Sequence, residues 1–154
     1  MNHRSRLWLV GLAALVMVLV APVRAAGTVT VAHRAIGNIR TITATITADA
    51  ANGSVPDTVL PKFEGRILAI ETNPGTTAPT DNYDITIEDA HGFDVLLGVG
   101  ANRDTTTTER AAVLVTSSSV FSVVDEVDVL TLKVANNSVN SAQIVLVIYY
   151  AIGG

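Results

Sequence analysis

The sequence predicts an all-β protein, an antiparallel β-sandwich or jelly roll of seven to nine strands preceded by an N-terminal signal helix. Three observations carry this expectation. After residue 27 no stretch keeps apolar residues at helical spacing for even three turns, so no amphipathic helix is signalled. Threonine and valine dominate instead, and both suit a pleated, half-buried surface. Short alternating runs recur between turn residues over a length fit for one domain, the pattern of two packed antiparallel sheets.

The chain opens with Arg4 and Arg6, an apolar run over residues 7–21, and a polar tail carrying Pro22 and Arg24. That is the order of an export signal. A spanning helix needs about 20 apolar residues, and Pro22 stops this run short of that length. Val23 and Ala25 supply the small residues that a signal peptidase reads, which predicts a signal peptide at 1–25 and a single domain at 26–154. The rival reading keeps the run as an uncleaved anchor.

Beyond it, Thr28-Val29-Thr30-Val31-Ala32 alternates, and His33 continues the same strand-like stretch. Residues 39–48 give the clearest strand: Ile42, Ala44, Ile46 and Ala48 alternate with Thr41, Thr43, Thr45 and Thr47, so one face is dry and one wet. Residues 49–54 read as a turn around Asn52-Gly53. Pro56 and Pro61 keep the following stretch out of any central strand. A strand over 65–72 ends at Asn73-Pro74-Gly75, and after Pro79 the pairs Ile85/Ile87 and Asp84/Thr86 alternate again. Asp89-Ala90-His91-Gly92 fits a type I turn, which predicts a return strand over 93–97. A polar loop at 102–110 and strands over 111–116, 127–135 and 143–151 complete the chain. The last of these is apolar on both faces, which suits either a core position or burial by a neighbouring subunit.

Composition narrows the function. Loss of residues 1–25 removes Arg4, Arg6 and Arg24, so ten basic residues become seven against fourteen acidic ones, a net charge of −7. Such a surface repels a phosphate backbone and an anionic membrane, which argues against nucleic-acid partners and against membrane binding once the signal is removed. The absence of cysteine excludes disulfides, thiolate-zinc sites and thiol nucleophiles. A secreted, periplasmic or cell-surface location in a bacterial setting is expected.

Catalytic chemistry has little to stand on. His33 and His91 are the only bases of their kind after the signal, and no G-x-S-x-G elbow is present. No catalytic or cofactor-binding residues are assigned. Carboxylates crowd residues 81–94, where Asp81, Asp84, Asp89 and Asp94 form a candidate calcium set, but EF-hand spacing is missing. A glycosidase pair drawn from these groups lacks the aromatic residues for a sugar-stacking cleft. The threonine face of residues 41–47 suits an exposed strand, and also a regular surface for carbohydrate or ice.

Thr72-Asn73-Pro74-Gly75, Pro79-Thr80-Asp81-Asn82-Tyr83-Asp84-Ile85-Thr86-Ile87, then Asp89, Gly92 and Asp94-Val95-Leu96, resemble a group of small bacteriophage and prophage structural proteins. Asp49, Asn52-Gly53 and Gly65 extend the likeness to roughly residues 39–150. The resemblance implies a β-sandwich serving as a virion structural or surface component in a symmetric assembly. It carries over no functional residues, and the export signal departs from cytoplasmic particle assembly. The sequence therefore points to a non-enzymatic structural or interaction subunit, self-associating through strand edges or the C-terminal strand. The alternative is a monomeric secreted module that binds carbohydrate or a surface polymer, with calcium under Asp81–Asp94 residues of the acidic segment.

Overall fold

A computed structural model describes residues 25–115, 121–124 and 129–152. The expected signal helix and parts of the strands expected at 111–116 and 127–135 lie outside these residues. The described chain is all-β, with antiparallel sheets, nine strands and no helix. No helix among the described residues is long and apolar enough to cross a membrane.

The first two strands, β1 (Thr28–Ile36) and β2 (Ile39–Thr47), form a hairpin closed by Gly37-Asn38. Gly37 has φ of 59°, and glycine at the first position of a two-residue loop gives the twist that antiparallel strands need. The chain then makes β3 (Thr58–Val59), β4 (Gly65–Pro74), β5 (Asp84–Glu88), β6 (Glu109–Ala112), β7 (Ser122–Val124), β8 (Thr131–Ala135) and β9 (Gln143–Ala151). The larger sheet runs β1-β2-β9-β4-β6, with β7 also on β4, and the smaller runs β3-β8-β5.

Register decides what is buried. Ile42, Ala44 and Ile46 of β2 lie opposite Ile148, Leu146 and Ile144 of β9, and Ile148 lies opposite Ile70 of β4. All of these belong to one buried cluster, which Ile85, Ile87 and Leu132 join from the smaller sheet. Full burial of each isoleucine or leucine side chain among them contributes about 1.5–3 kcal/mol. The fully apolar C-terminal strand is explained by its place: β9 sits between β2 and β4, so both its edges are occupied. Its inner residues are buried, and Val145, Val147 and Tyr149 are half-buried on the outer face.

The two ends of the sheets coincide. At one end Phe63 packs on Tyr150, with ring centroids 4.5 Å apart. At the other, Asn137 Nδ2 donates to the Gly53 carbonyl at 2.7 Å. The first end carries the Gly37-Asn38 turn and is called the hairpin end below.

One expected strand is absent. Residues 93–97 do not return alongside β5 as a strand; only a single bridge joins Glu88 to Asp94. The Asp94 carboxylate takes the backbone N–H of Ile87, the position that a returning strand would pair with. Leu97 and Gly98 then adopt positive φ, and the chain turns across the β5 edge. β7, a short addition at the start of β4, has no clear sequence signal.

Candidate functional site

Three of the four candidate calcium carboxylates accept hydrogen bonds from the backbone. Asp84 accepts from the Asn102 N–H at 2.8 Å and from Asn136 Nδ2 at 2.6 Å. Asp89 takes the N–H groups of His91 and Phe93, and these hydrogen bonds hold its carboxyl below the ordinary carboxylate range. Asp94 takes three, from Ile87, Leu96 and Gly98, at 3.1, 3.0 and 2.9 Å. Asp81 meets the side chain of its neighbour Asn82. No group of three or more His, Asp or Glu side chains among the described residues is placed to hold a metal ion.

Among the described residues neither histidine side chain bonds a serine or threonine hydroxyl. His91 sits on an exposed turn with Nδ1 4.0 Å from Asp89 Oδ2. His33 Nε2 meets the Tyr150 hydroxyl at 2.5 Å, and the rings stack. Burial raises the Tyr150 pKa, an effect partly opposed by Arg40. Sequence reasoning missed the most buried cation, Arg103, 5% exposed. Its Nε donates to Thr72 Oγ1 at 2.9 Å and lies 3.3 Å from Glu109 Oε2, pinning the loop before β6 to β4. A charge buried and paired this way is a structural tie.

The edges of the sheets differ in a way that bears on function. The chain between Asp94 and Arg103 runs along the free side of β5 and satisfies it: Ile85 N–H donates to the Gly100 carbonyl, Val95 N–H to Ile87, and Arg103 N–H to Tyr83, each at 2.8 Å. β3 is two residues long and lies between Pro56 and Pro61. β6 and β7 have four and three residues.

Among the described residues β1 has none of these protections. It is a nine-residue edge strand paired to β2 without a bulge, contains no proline, and is exposed over most of its length. In an antiparallel ladder every second residue turns its N–H and C=O away from the partner. Over nine residues these groups form a template about 27 Å long. The inner side of the strand is also incompletely covered, since Val29 and Val31 are only half-buried at the margin of the core.

Comparison with known proteins adds no relative: the chain matches no family model, no curated protein and no solved structure.

Proposed function

We propose that this domain is a non-enzymatic structural subunit, a two-layer β-sandwich exported from the cytoplasm, which joins to another copy of itself by pairing β1 edges. The observation that carries this reading is the contrast between edges. Among the described residues one edge strand is covered by a dedicated loop and the others are short, while the longest is left open. Natural sheets blunt long edges unless something is meant to pair with them. The virion-like resemblance of residues 72–96 points the same way, toward symmetric assembly.

Energetics set the expected strength. An antiparallel pairing forms roughly one inter-strand hydrogen bond per residue, each worth about 0.5–1.5 kcal/mol net. Association costs about 4–15 kcal/mol in lost freedom. Backbone pairing along β1 alone therefore supports a reversible complex, tightened where Val29 and Val31 are covered.

Light scattering on a sizing column across a range of concentrations, with calcium or chelator present, tests the reading. A mass that rises with concentration to a defined multiple, indifferent to calcium, supports it. A monomer at every concentration overturns it and favours a monomeric binding module.

A further inference from the structure

The outer face of the larger sheet holds a concavity of about 540 Å³ at the hairpin end, lined by Arg34, Ile36, Asn38, Ile39, Thr41 and Tyr149. Strand register builds it. Arg34, Thr41 and Tyr149 form one row across β1, β2 and β9, and Ile36, Ile39 and Ala151 form the next. Ile36 and Ile39 are 61% and 56% exposed, so two large apolar side chains flank the turn without cover from the described chain.

Tyr149 is held in place from behind. The Arg110 guanidinium lies 4.1 Å from its ring centroid, and its hydroxyl donates to Glu71 Oε2 at 3.4 Å. Glu71 in turn pairs with Arg110 at 3.4 Å, which offsets the negative charge nearest the concavity.

The cations divide by position. Among the described residues Arg103, Arg110 and Lys133 have carboxylate partners. Arg34, Arg40, Lys62 and Arg66 have none, and all four belong to the hairpin end. Arg34 lines the hollow, and Arg66 lies opposite Ala151, which lies opposite Ile39, on the same face; Arg40, in register with Tyr150 and hydrogen-bonded to it, turns to the core face instead. Lys62 precedes Phe63, whose ring packs on Tyr150. In a chain of net charge −4 this leaves Arg34 in the lining of the hollow, with Arg66 on the same face, free of any carboxylate partner among the described residues.

We propose that the concavity binds a single-chain amphiphile with an anionic head, of the fatty-acid type. The alkyl chain lies on Ile36, Ile39 and the Tyr149 ring, and the carboxylate meets the Arg34 guanidinium, whose planar fork matches it. A mostly apolar hollow with a few polar groups at its rim is the usual form of a small-molecule site. A bilayer surface is the weaker fit, because the acidic remainder of the domain is repelled by anionic lipid while a single ligand escapes that repulsion. The inference does not depend on the assembly reading: the lining side chains leave from the outer face, whereas pairing uses the backbone edge.

Sodium laurate, kept below its micellar concentration, is titrated into the full-length protein and followed by amide chemical shifts, with dodecyl maltoside as the neutral-headed control. Saturable shifts confined to Ile36, Ile39, Thr41, Tyr149 and their neighbours are expected. Arg34→Gln weakens laurate at least about tenfold and Arg34→Lys recovers part of it, while the melting temperature stays at that of the parent. Equal binding of the neutral detergent, an unchanged affinity in Arg34→Gln, or shifts centred elsewhere would each overturn the proposal. Binding only to vesicles of anionic phospholipid, with no shifts from monomeric laurate, would also overturn it in favour of a membrane surface.

Discussion

Replacing Ala32 by lysine tests the edge reading at its most sensitive point. Ala32 is the middle residue of β1, exposed on the outer face and opposite Thr43 of β2. When a nine-residue strand pairs along its full length with its own copy, antiparallel, the two-fold axis passes through the fifth residue, so Ala32 faces Ala32. Cβ atoms of directly opposed residues are about 5 Å apart. Two ammonium groups at such a separation repel by about 0.8 kcal/mol in a water-like medium and about 3 kcal/mol at an effective dielectric near 20. Association should therefore weaken by roughly 4- to 150-fold. Within a monomer the same exposed change should stay within about 0.5 kcal/mol. Sedimentation equilibrium reads the dissociation constant, and a melt at low concentration reads the fold. Ala32→Glu should weaken association similarly, and an equimolar mixture of the lysine and glutamate variants should restore it, less so in high salt. Parental association of both single variants, or no rescue on mixing, refutes the pairing.

Further outcomes follow from the loops. Asp94→Ala leaves three backbone donors without their carboxylate, a loss of about 2–4 kcal/mol and of roughly 10 °C in Tm, read by thermal denaturation. Gly100→Ala puts a Cβ into the Ile85 carbonyl oxygen and should destabilise the same loop, seen as faster hydrogen exchange at Ile85. The Asp104 carboxyl, held at about 2 by the Thr106 hydroxyl and the Thr106 and Thr107 amides, lies below its ordinary 3.8. Its contribution is therefore complete above that ordinary value and lost as pH falls toward 2, and Asp104→Asn should flatten this acid-side slope in pH-dependent melts. Burial raises Tyr83 and Tyr150 above 10.0, so their contribution is complete below that pH and lost as the phenols ionise above it. Tyr150→Phe should reduce the alkaline slope of Tm against pH.

What the sequence made legible was the alternation that one buried face imposes. Threonines at 41, 43, 45 and 47 between apolar residues located β2, and the double-sided apolar run located β9 residue for residue. The Gly37-Asn38 turn between β1 and β2 carries a two-residue hairpin signal, but the strand alternation that located β2 does not mark it. The return strand at 93–97 misled because local pattern cannot register a side chain that replaces a backbone partner, as Asp94 does at Ile87. Arg103 gave no signal, since its burial depends on Thr72 and Glu109, one of them 31 residues away. The hollow at Arg34 and Tyr149 was beyond reach for the same reason: strand register across β1, β2 and β9 creates it.

The distribution of edges also bears on how far assembly should proceed. A contact between two β1 strands is isologous, with the same surface used by both copies. Pairing therefore consumes the open edge of each. What remains at the rims is β6 with four residues, β7 with three, β3 with two, and β5 already covered by residues 94–103. Among the described residues none of these offers a ladder comparable with the nine residues of β1. Growth by strand addition should thus stop at two copies, and a continuous sheet across the two-fold axis should not extend into a fibre. A larger array would need a second kind of contact, and the outer face around Val145, Val147 and Tyr149 is the half-buried surface that stays free in the dimer. Solution mass separates these cases. A plateau at twice the chain mass fits edge pairing alone, whereas masses that climb without limit while Ala32→Lys leaves them unchanged would place the main contact away from β1.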